Sequence, residues 1–94
     1  MKGTRSRRYS RYRREVMDAT NAHSPFRLGL TRQHHVPISR AFHWGIPANL
    51  IGGPENVSYW PLNDNIQQGT RISEEGEALL REWGYAHLIK QVTP

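Results

Sequence analysis

Apolar and polar residues follow different periodicities along the chain, and the pattern predicts a small domain that mixes helices and strands. Residues 1–10 show no apolar period and predict a mobile arm. Between residues 10 and 21, apolar side chains recur at helical spacing and predict a short helix. Within residues 26–38, apolar side chains at alternate positions predict a first short strand, with the pair His34-His35 either at its end or on the turn of a hairpin.

Glycine and proline divide the middle of the chain. Their density over residues 39–55 predicts a surface loop, with one possible helical turn at 39–44. The segment NVSYW at 56–60 predicts a second strand that Pro61 closes. An Asn-Asp-Asn cluster at 63–65 then predicts the start of a short helix that ends near Gly69.

The C-terminal part predicts a longer helix over residues 73–92. Ser73 is a suitable N-cap, and three glutamates follow in the first turns, where negative charge stabilises the helix dipole. Gly84 lies inside this helix and is expected to split or kink it. The bulky aromatic residues are predicted to form the core of so small a domain, with base stacking as a minor alternative. They are Trp44, Tyr59, Trp60 and Trp83.

The distribution of charge along the chain indicates what kind of partner the protein binds. Of 94 residues, 13 are Lys or Arg and 8 are Asp or Glu, and residues 1–14 hold seven of the cations with no acid. Such an excess, made almost wholly of arginine, predicts a polyanion partner, most often nucleic acid. The alternative is a solubilising tail. The arginines predicted to bind phosphate are Arg5, Arg7, Arg8, Arg11, Arg13, Arg14 and Arg71.

Cysteine is absent, so no disulfide framework and no thiolate zinc site is possible. Any metal must be held by nitrogen and oxygen ligands, which favours a hydrolytic divalent ion over a structural zinc. No apolar run approaches the length of a membrane span, and the arginine-rich start lacks the apolar core of a secretory signal. The expectation is a soluble, cytoplasmic protein, with a secreted toxin domain as the alternative.

The adjacent pair His34-His35 is the main candidate for chemistry. On a strand, neighbouring side chains point to opposite faces, so one imidazole can hold a metal while the other faces a substrate. A pair of this kind can also be simply solvated or hydrogen-bonded. His23, His43 and His87 are predicted to be loop or structural residues.

The segment QHHVP…GGPENVSYWPLNDNIQQGTR resembles the HNH endonuclease family of ββα-metal nucleases over residues 30–71. Glu55-Asn56-Val57 follows the Gly-Gly pair as in the family pattern, and the nine-residue step to Asn65 is also kept. The resemblance implies an α+β domain, 23–94, with an HNH-like core at 30–71 and a basic arm or short helix over 1–22.

The same resemblance implies a role for each matching residue. His34 would be a metal ligand, and His35 the general base that takes a proton from water. Asn56 would brace the loop and orient His35, and Asn65 would complete the metal site through its amide oxygen. The cofactor implied is Mg²⁺, with Mn²⁺ as the alternative. Asn65 as a plain helix cap and Asn56 as a turn residue remain open.

The match also departs from the family. Gln68 replaces a lysine that contacts phosphate, a contact that Arg71 can replace, and the cysteine knuckles of many relatives are absent. Asp64 could supply a carboxylate or a cap.

The expected function is therefore a metal-dependent DNA endonuclease, with RNA as an alternative substrate. Two other classes stay open: a non-catalytic nucleic-acid-binding module on a degenerate nuclease fold, and a small phage-type protein inhibitor. If the chain is the nuclease end of a secreted toxin, an immunity protein would be its partner.

Overall fold

The computed structural model of the protein describes residues 2–62 and 72–89, with side chains from residue 7 onward. Within these residues it is a small compact domain of helices and a two-stranded antiparallel sheet. The elements follow in the order α1 (Lys2–His23), β1 (Leu30–His34), α2 (Ile38–Trp44), α3 (Ala48–Ile51), a 3-10 turn (Pro54–Asn56), β2 (Val57–Pro61), α4 (Glu74–Glu82) and α5 (Ala86–Ile89).

Strands β1 and β2 form a hairpin whose long connection carries α2, α3 and the 3-10 turn. The register places Leu30 opposite Pro61 and His34 opposite Val57. The first strand is shorter than its alternating pattern suggested, because Leu28 lies in a turn before it and is 94% exposed. His34 is the last residue of β1, so the histidine pair stands at the end of the strand, as one of the two predictions had it.

Residues 2–10, predicted as an arm, belong to a helix, which is the second of the two alternatives predicted for residues 1–22. Helix α1 runs without a break from Lys2 to His23, although it carries no acidic residue in its first turn to stabilise its dipole. Its inner face is fixed by tertiary contacts: the Tyr12 hydroxyl donates to the Ile46 carbonyl oxygen at 2.6 Å, and Val16 is fully buried. Packing of one face therefore stabilises a helix that extends well before residues 10–21, the segment in which periodicity predicted it.

The predicted loop over residues 39–55 is largely folded. The suggested helical turn is helix α2, which ends at Gly45 in the left-handed conformation that glycine adopts at low cost. A second short helix, α3, and the 3-10 turn follow. Breaker residues delimit these elements, because Pro47 and Pro54 stand where a helix can begin.

Ser73 caps helix α4 as predicted, since its hydroxyl oxygen accepts a hydrogen bond from the Gly76 amide at 3.1 Å. The single long helix of the prediction is split at Gly84, whose φ of +91° ends the helical path. Helix α5 begins two residues later.

The core is aliphatic rather than aromatic, so the prediction of an aromatic core is wrong. Its buried residues are Val16, Val36, Ala41, Ile46, Ile51, Leu80 and Leu88. Trp44 and Trp83 pack only against its edge, and Tyr59 donates through its hydroxyl to the Pro25 carbonyl oxygen at 2.6 Å.

The hairpin supplies the first two elements of the predicted ββα core. The helix that would complete it belongs to residues 63–69, which lie outside the described residues, so the HNH-like core stays a prediction. In the described ranges, no helix is both long enough and apolar enough to cross a membrane.

Candidate functional site

The two histidines contact different parts of the fold. His34 is directed towards α1, where its Nε2 lies 3.0 Å from the Thr20 hydroxyl oxygen. Burial lowers the pKa of His34 to about 4, with smaller contributions from repulsion by Arg32, His35 and Arg13. The imidazole is therefore neutral near pH 7 and keeps a nitrogen lone pair, as a metal ligand must.

His35 lies just beyond β1 and is directed towards β2 and the start of α4. Its Nε2 is 2.7 Å from the Ser58 hydroxyl oxygen, and its Nδ1 is 3.4 Å from the Ser73 hydroxyl oxygen. Its backbone amide donates to the Asn56 carbonyl oxygen at 2.9 Å. The ring of the proposed base is thus held by serines from two elements.

Helix α4 approaches His35 closely because Gly76 has no side chain. A methyl group built on Gly76 would lie 2.6 Å from the His35 carbonyl oxygen and 2.9 Å from the Ile72 side chain. The first turn of α4 thus rests on the His35 peptide. This contact places the Ser73 cap within reach of the ring.

Asn56 connects the histidine pair to the long connection. Its side chain is fully buried, and its Oδ1 accepts from the Val36 amide at 2.8 Å. Its Nδ2 donates to the carbonyl oxygens of Val36 at 3.2 Å and Ile51 at 2.9 Å. These bonds hold the backbone directly after His35 against the end of α3, so Asn56 links these two segments.

Helix α1, which contacts His34 through Thr20, carries exposed positive charge. Arg7, Arg11 and Arg14 recur at spacings of four and three residues, and all three are exposed. Arg13 and Arg32 are near enough to His34 to oppose its protonation. Arg32 also donates to the Asn21 side chain and to the Ser24 carbonyl oxygen, which ties β1 to the end of α1.

Part of the predicted site lies outside the described residues. Asn65 and Arg71 fall in that part, as do Asp64 and Gln68, and the side chain of Arg5 is not described either. The structure brings together His34, His35 and Asn56 in one corner of the hairpin. Five of the predicted phosphate-binding arginines are exposed on α1: Arg7, Arg8, Arg11, Arg13 and Arg14.

Three residues with hydroxyl side chains contact the histidines, and the sequence did not predict them to be part of this site. Ser58 had a detectable signal, because a hairpin ending at the histidine pair places it opposite Gln33, one step from the pair. Thr20 and Ser73 had none, since they are 14 and 38 residues from their histidine partners. His43 and His87, predicted to be loop or structural residues, are both exposed on short helices.

The arrangement offers two different chemical environments side by side. One imidazole is buried, neutral and next to guanidinium groups, whereas the other is held by hydroxyl groups. The described residues contain no group of three His, Cys, Asp or Glu side chains that could bind a metal by themselves. His34 fits one position of a divalent-ion site in its protonation state, and the amide oxygen proposed for the second position belongs to Asn65.

Comparisons with known proteins identify no relative of this chain. No family model, no curated protein and no solved structure matches the chain.

Proposed function

We propose that the protein is a metal-dependent endonuclease that hydrolyses phosphodiester bonds in DNA. The observation that carries the proposal is the histidine pair at the end of β1, with its two rings in separate environments. The buried Asn56 pins the backbone between this pair and the connection. The two roles suit different surroundings, because a metal ligand must stay unprotonated whereas a general base must accept a proton from the attacking water.

His35 is the proposed general base. Its Nε2 holds the Ser58 hydroxyl oxygen at 2.7 Å, a hydrogen-bond distance that an attacking water would also take. When substrate is bound, a water molecule would replace Ser58 at this nitrogen, give its proton to His35 and attack phosphorus. The bond from phosphorus to the leaving sugar oxygen would break, and that oxygen would take a proton from solvent. Ser73 and the Asn56 carbonyl limit the movement of the ring and backbone during this step.

His34 and Asn65 are the proposed ligands of a Mg²⁺ or Mn²⁺ ion. Such an ion, when bound, neutralises charge on the scissile phosphate and on the leaving oxygen. The contribution of His34 is a neutral imidazole, which burial keeps available at neutral pH. Arg13 and Arg32, beside it, attract the phosphate to the same corner.

Helix α1 is proposed to bind the phosphates on either side of the bond that is cleaved. Its exposed arginines lie on a helix that packs against the domain through Tyr12 and Val16, so the charges are held in a fixed relation to His34. A binding surface ordered in advance loses less conformational entropy when it binds.

Cleavage of supercoiled plasmid in Mg²⁺ or Mn²⁺ tests the proposal. The wild-type protein is expected to nick or linearise the plasmid, and His35→Ala to be slower by about 100-fold or more, because the general base is lost. His43→Ala is the matched control, since His43 is exposed on α2, and it should cleave normally. Intact plasmid with the wild-type protein, identical to the result with His35→Ala, would overturn the proposal.

A second candidate is a nucleic-acid-binding module without catalysis. It is favoured by the serine at each ring nitrogen of His35, an arrangement that also suits a structural histidine. This candidate predicts salt-dependent DNA binding, no cleavage and no increase in melting temperature with metal.

A further inference from the structure

One face of the hairpin carries a serine and a histidine in hydrogen-bond contact. Ser58 lies opposite Gln33 in the register, and the ladder continues one residue beyond β1, because the His35 amide donates to the Asn56 carbonyl oxygen. Side chains two positions apart in a strand share a face, so His35 lies on the same side as Gln33 and Ser58. The Ser58 hydroxyl oxygen is 2.7 Å from the His35 Nε2, and both side chains are only half-buried. A small molecule can therefore reach this pair.

The distances favour one arrangement of the protons around His35. A separation of 2.7 Å between Ser58 and Nε2 is typical of a hydroxyl donor and short for a ring N–H donor. If Ser58 donates, Nε2 carries the lone pair and the ring proton lies on Nδ1. The Ser73 hydroxyl oxygen, 3.4 Å from Nδ1, can accept from that N–H as well as from the Gly76 amide, because a hydroxyl oxygen has two lone pairs.

This order of groups is that of an activated nucleophile. A hydroxyl becomes reactive when a base within hydrogen-bond distance takes its proton and a third group orients the base. Ser58 of β2 is the hydroxyl, His35 is the base, and Ser73 at the N-cap of α4 is the group that orients the ring. The close approach of α4 at Gly76 holds these groups together before any ligand binds.

We propose that Ser58 is a nucleophile that attacks activated carboxylic esters, with His35 as its general base and Ser73 as a positioning residue. This activity goes beyond the proposed cleavage of DNA, and it needs no metal ion. The Ser58 oxygen bonds to the carbonyl carbon as its proton passes to the His35 Nε2. The bond from that carbon to the leaving oxygen breaks, and His35 gives the proton to the leaving oxygen. Water then attacks the acyl-serine in the same way, which releases the carboxylic acid and restores Ser58.

A fluorophosphonate probe, with EDTA present, tests the nucleophile in the full-length protein. The Ser58 oxygen displaces fluoride from phosphorus, and tandem mass spectrometry locates the stable adduct. Ser58 is expected to be labelled, whereas Ser39, exposed on α2, is the internal control and should stay unlabelled. Absence of label on Ser58, or equal labelling of Ser39, would overturn the proposal.

Substitution of His35 tests the base. His35→Gln can still hydrogen-bond to Ser58 but cannot take its proton, so labelling should slow by about 100-fold or more. Circular dichroism checks that this variant is folded, and His35→Asn provides a second variant if it is not. A labelling rate equal to that of the wild-type protein would contradict the role of His35.

Two substitutions of Ser73 separate positioning of the ring from capping of α4. Glycine and aspartate are both accepted at an N-cap, but only aspartate offers an acceptor to the ring N–H. Ser73→Gly should therefore slow labelling, by less than His35→Gln because the base remains, and Ser73→Asp should restore the rate. Equal rates in Ser73→Gly and the wild-type protein would overturn the positioning role.

Hydrolysis of p-nitrophenyl acetate in EDTA tests turnover, which should be lost in Ser58→Ala; unchanged hydrolysis would overturn the proposal. The outcome is separable from that of the nuclease proposal. If Ser58 is labelled in a His35-dependent way while plasmid stays intact with Mg²⁺ and Mn²⁺, the nuclease proposal fails and the nucleophile stands. If plasmid is cut and Ser58 is not labelled, the nuclease proposal stands and the nucleophile is overturned.

Discussion

At the scale of single residues, Asn56 is the buried polar group on which the corner of the hairpin depends. A buried amide is tolerated only when its donors and acceptor are paired, and Asn56 pairs all of them with backbone groups of Val36 and Ile51. The sequence motif therefore marks a structural requirement as well as a candidate catalytic role. The catalytic role remains a prediction.

Replacing Asn56 should destabilise the protein strongly. Asn56→Ala leaves the Val36 amide and the carbonyl oxygens of Val36 and Ile51 without their partner, at an expected cost of about 3–5 kcal/mol in the free energy of unfolding. Asn56→Asp should also be costly, because a carboxylate would face both carbonyl oxygens. Urea denaturation measures the loss, and Asn49→Ala on the exposed side of α3 is the control, with almost no effect. A small loss for Asn56→Ala would refute the bracing role.

The lowered pKa of His34 predicts how stability depends on pH. The side chain has a pKa near 6.5 in the unfolded chain and about 4 in the folded protein. Between these values the unfolded chain binds more protons, so stability falls as the pH drops from 6.5 to 4. The contribution of His34 is about 1–3 kcal/mol, since the ring is only partly screened from water.

Thermal unfolding followed by circular dichroism from pH 7 to pH 4 checks this effect. His34→Gln should flatten the pH dependence in that window, because glutamine has no proton to bind. His43→Gln removes an exposed histidine and should leave the dependence as in the wild-type protein. Equal slopes for the two variants would contradict the prediction.

At the scale of secondary-structure elements, the close approach of α1 to the connection depends on Gly52. A methyl group built there would lie 2.3 Å from the Val16 carbonyl oxygen and 2.7 Å from the Ala19 Cβ. These are backbone and Cβ atoms, which have no rotamer to move into. The helix itself would have to shift.

Gly52→Ala should therefore cost about 1–3 kcal/mol in stability through overpacking and weaken the Thr20–His34 contact. Gly45→Ala is the matched control, because its methyl meets nothing within 4 Å and its cost comes only from the left-handed backbone, at φ +74°. Denaturation gives the stability of both variants. Only Gly52→Ala should change the His34 nitrogen shifts, and a change in Gly45→Ala alone would refute this account of the contact.

Elements whose ends depend on local chemistry were predictable. The Ser73 cap and the break at Gly84 were both expected from residue type alone, because capping and a positive φ involve neighbours in the chain. Helix α1 was predicted only over residues 10–21 and the short α3 was not predicted, because little in the periodicity of residues 2–9 and 48–51 favours a helix over a loop. Contacts with distant segments stabilise them.

At the scale of the whole molecule, the charge is unevenly placed. The formal net charge is +5, and α1 carries an exposed stripe of Arg7, Arg11 and Arg14. Charges on one helical face act together on a polyanion, and binding to it releases counterions. The strength of binding should therefore depend steeply on salt.

Replacing Arg7, Arg11 and Arg14 together with glutamine should lower DNA affinity and reduce the slope of log K against log salt by up to about 3. Fluorescence anisotropy with a labelled duplex, at salt concentrations from about 50 to about 200 mM, gives both the affinity and the slope. Arg81→Gln, an exposed arginine on α4, is the control and should change little. Affinity and slope unchanged in the triple variant would remove α1 from the interface.

The sequence by itself determined those features that rest on neighbouring residues. The histidine pair at a strand end, the cap at Ser73 and the break at Gly84 all follow from side-chain type and spacing. Their physical basis is backbone conformation and local hydrogen bonding, which act over a few residues.

Only the tertiary structure decided which groups surround each histidine. Thr20 meets His34 because α1 packs against the hairpin, and Ser73 meets His35 because Gly76 lets α4 approach. The aliphatic core in place of the expected aromatic one has the same origin. Close packing depends on how side chains from segments far apart in the chain fit together, and the pattern within one segment does not contain that information.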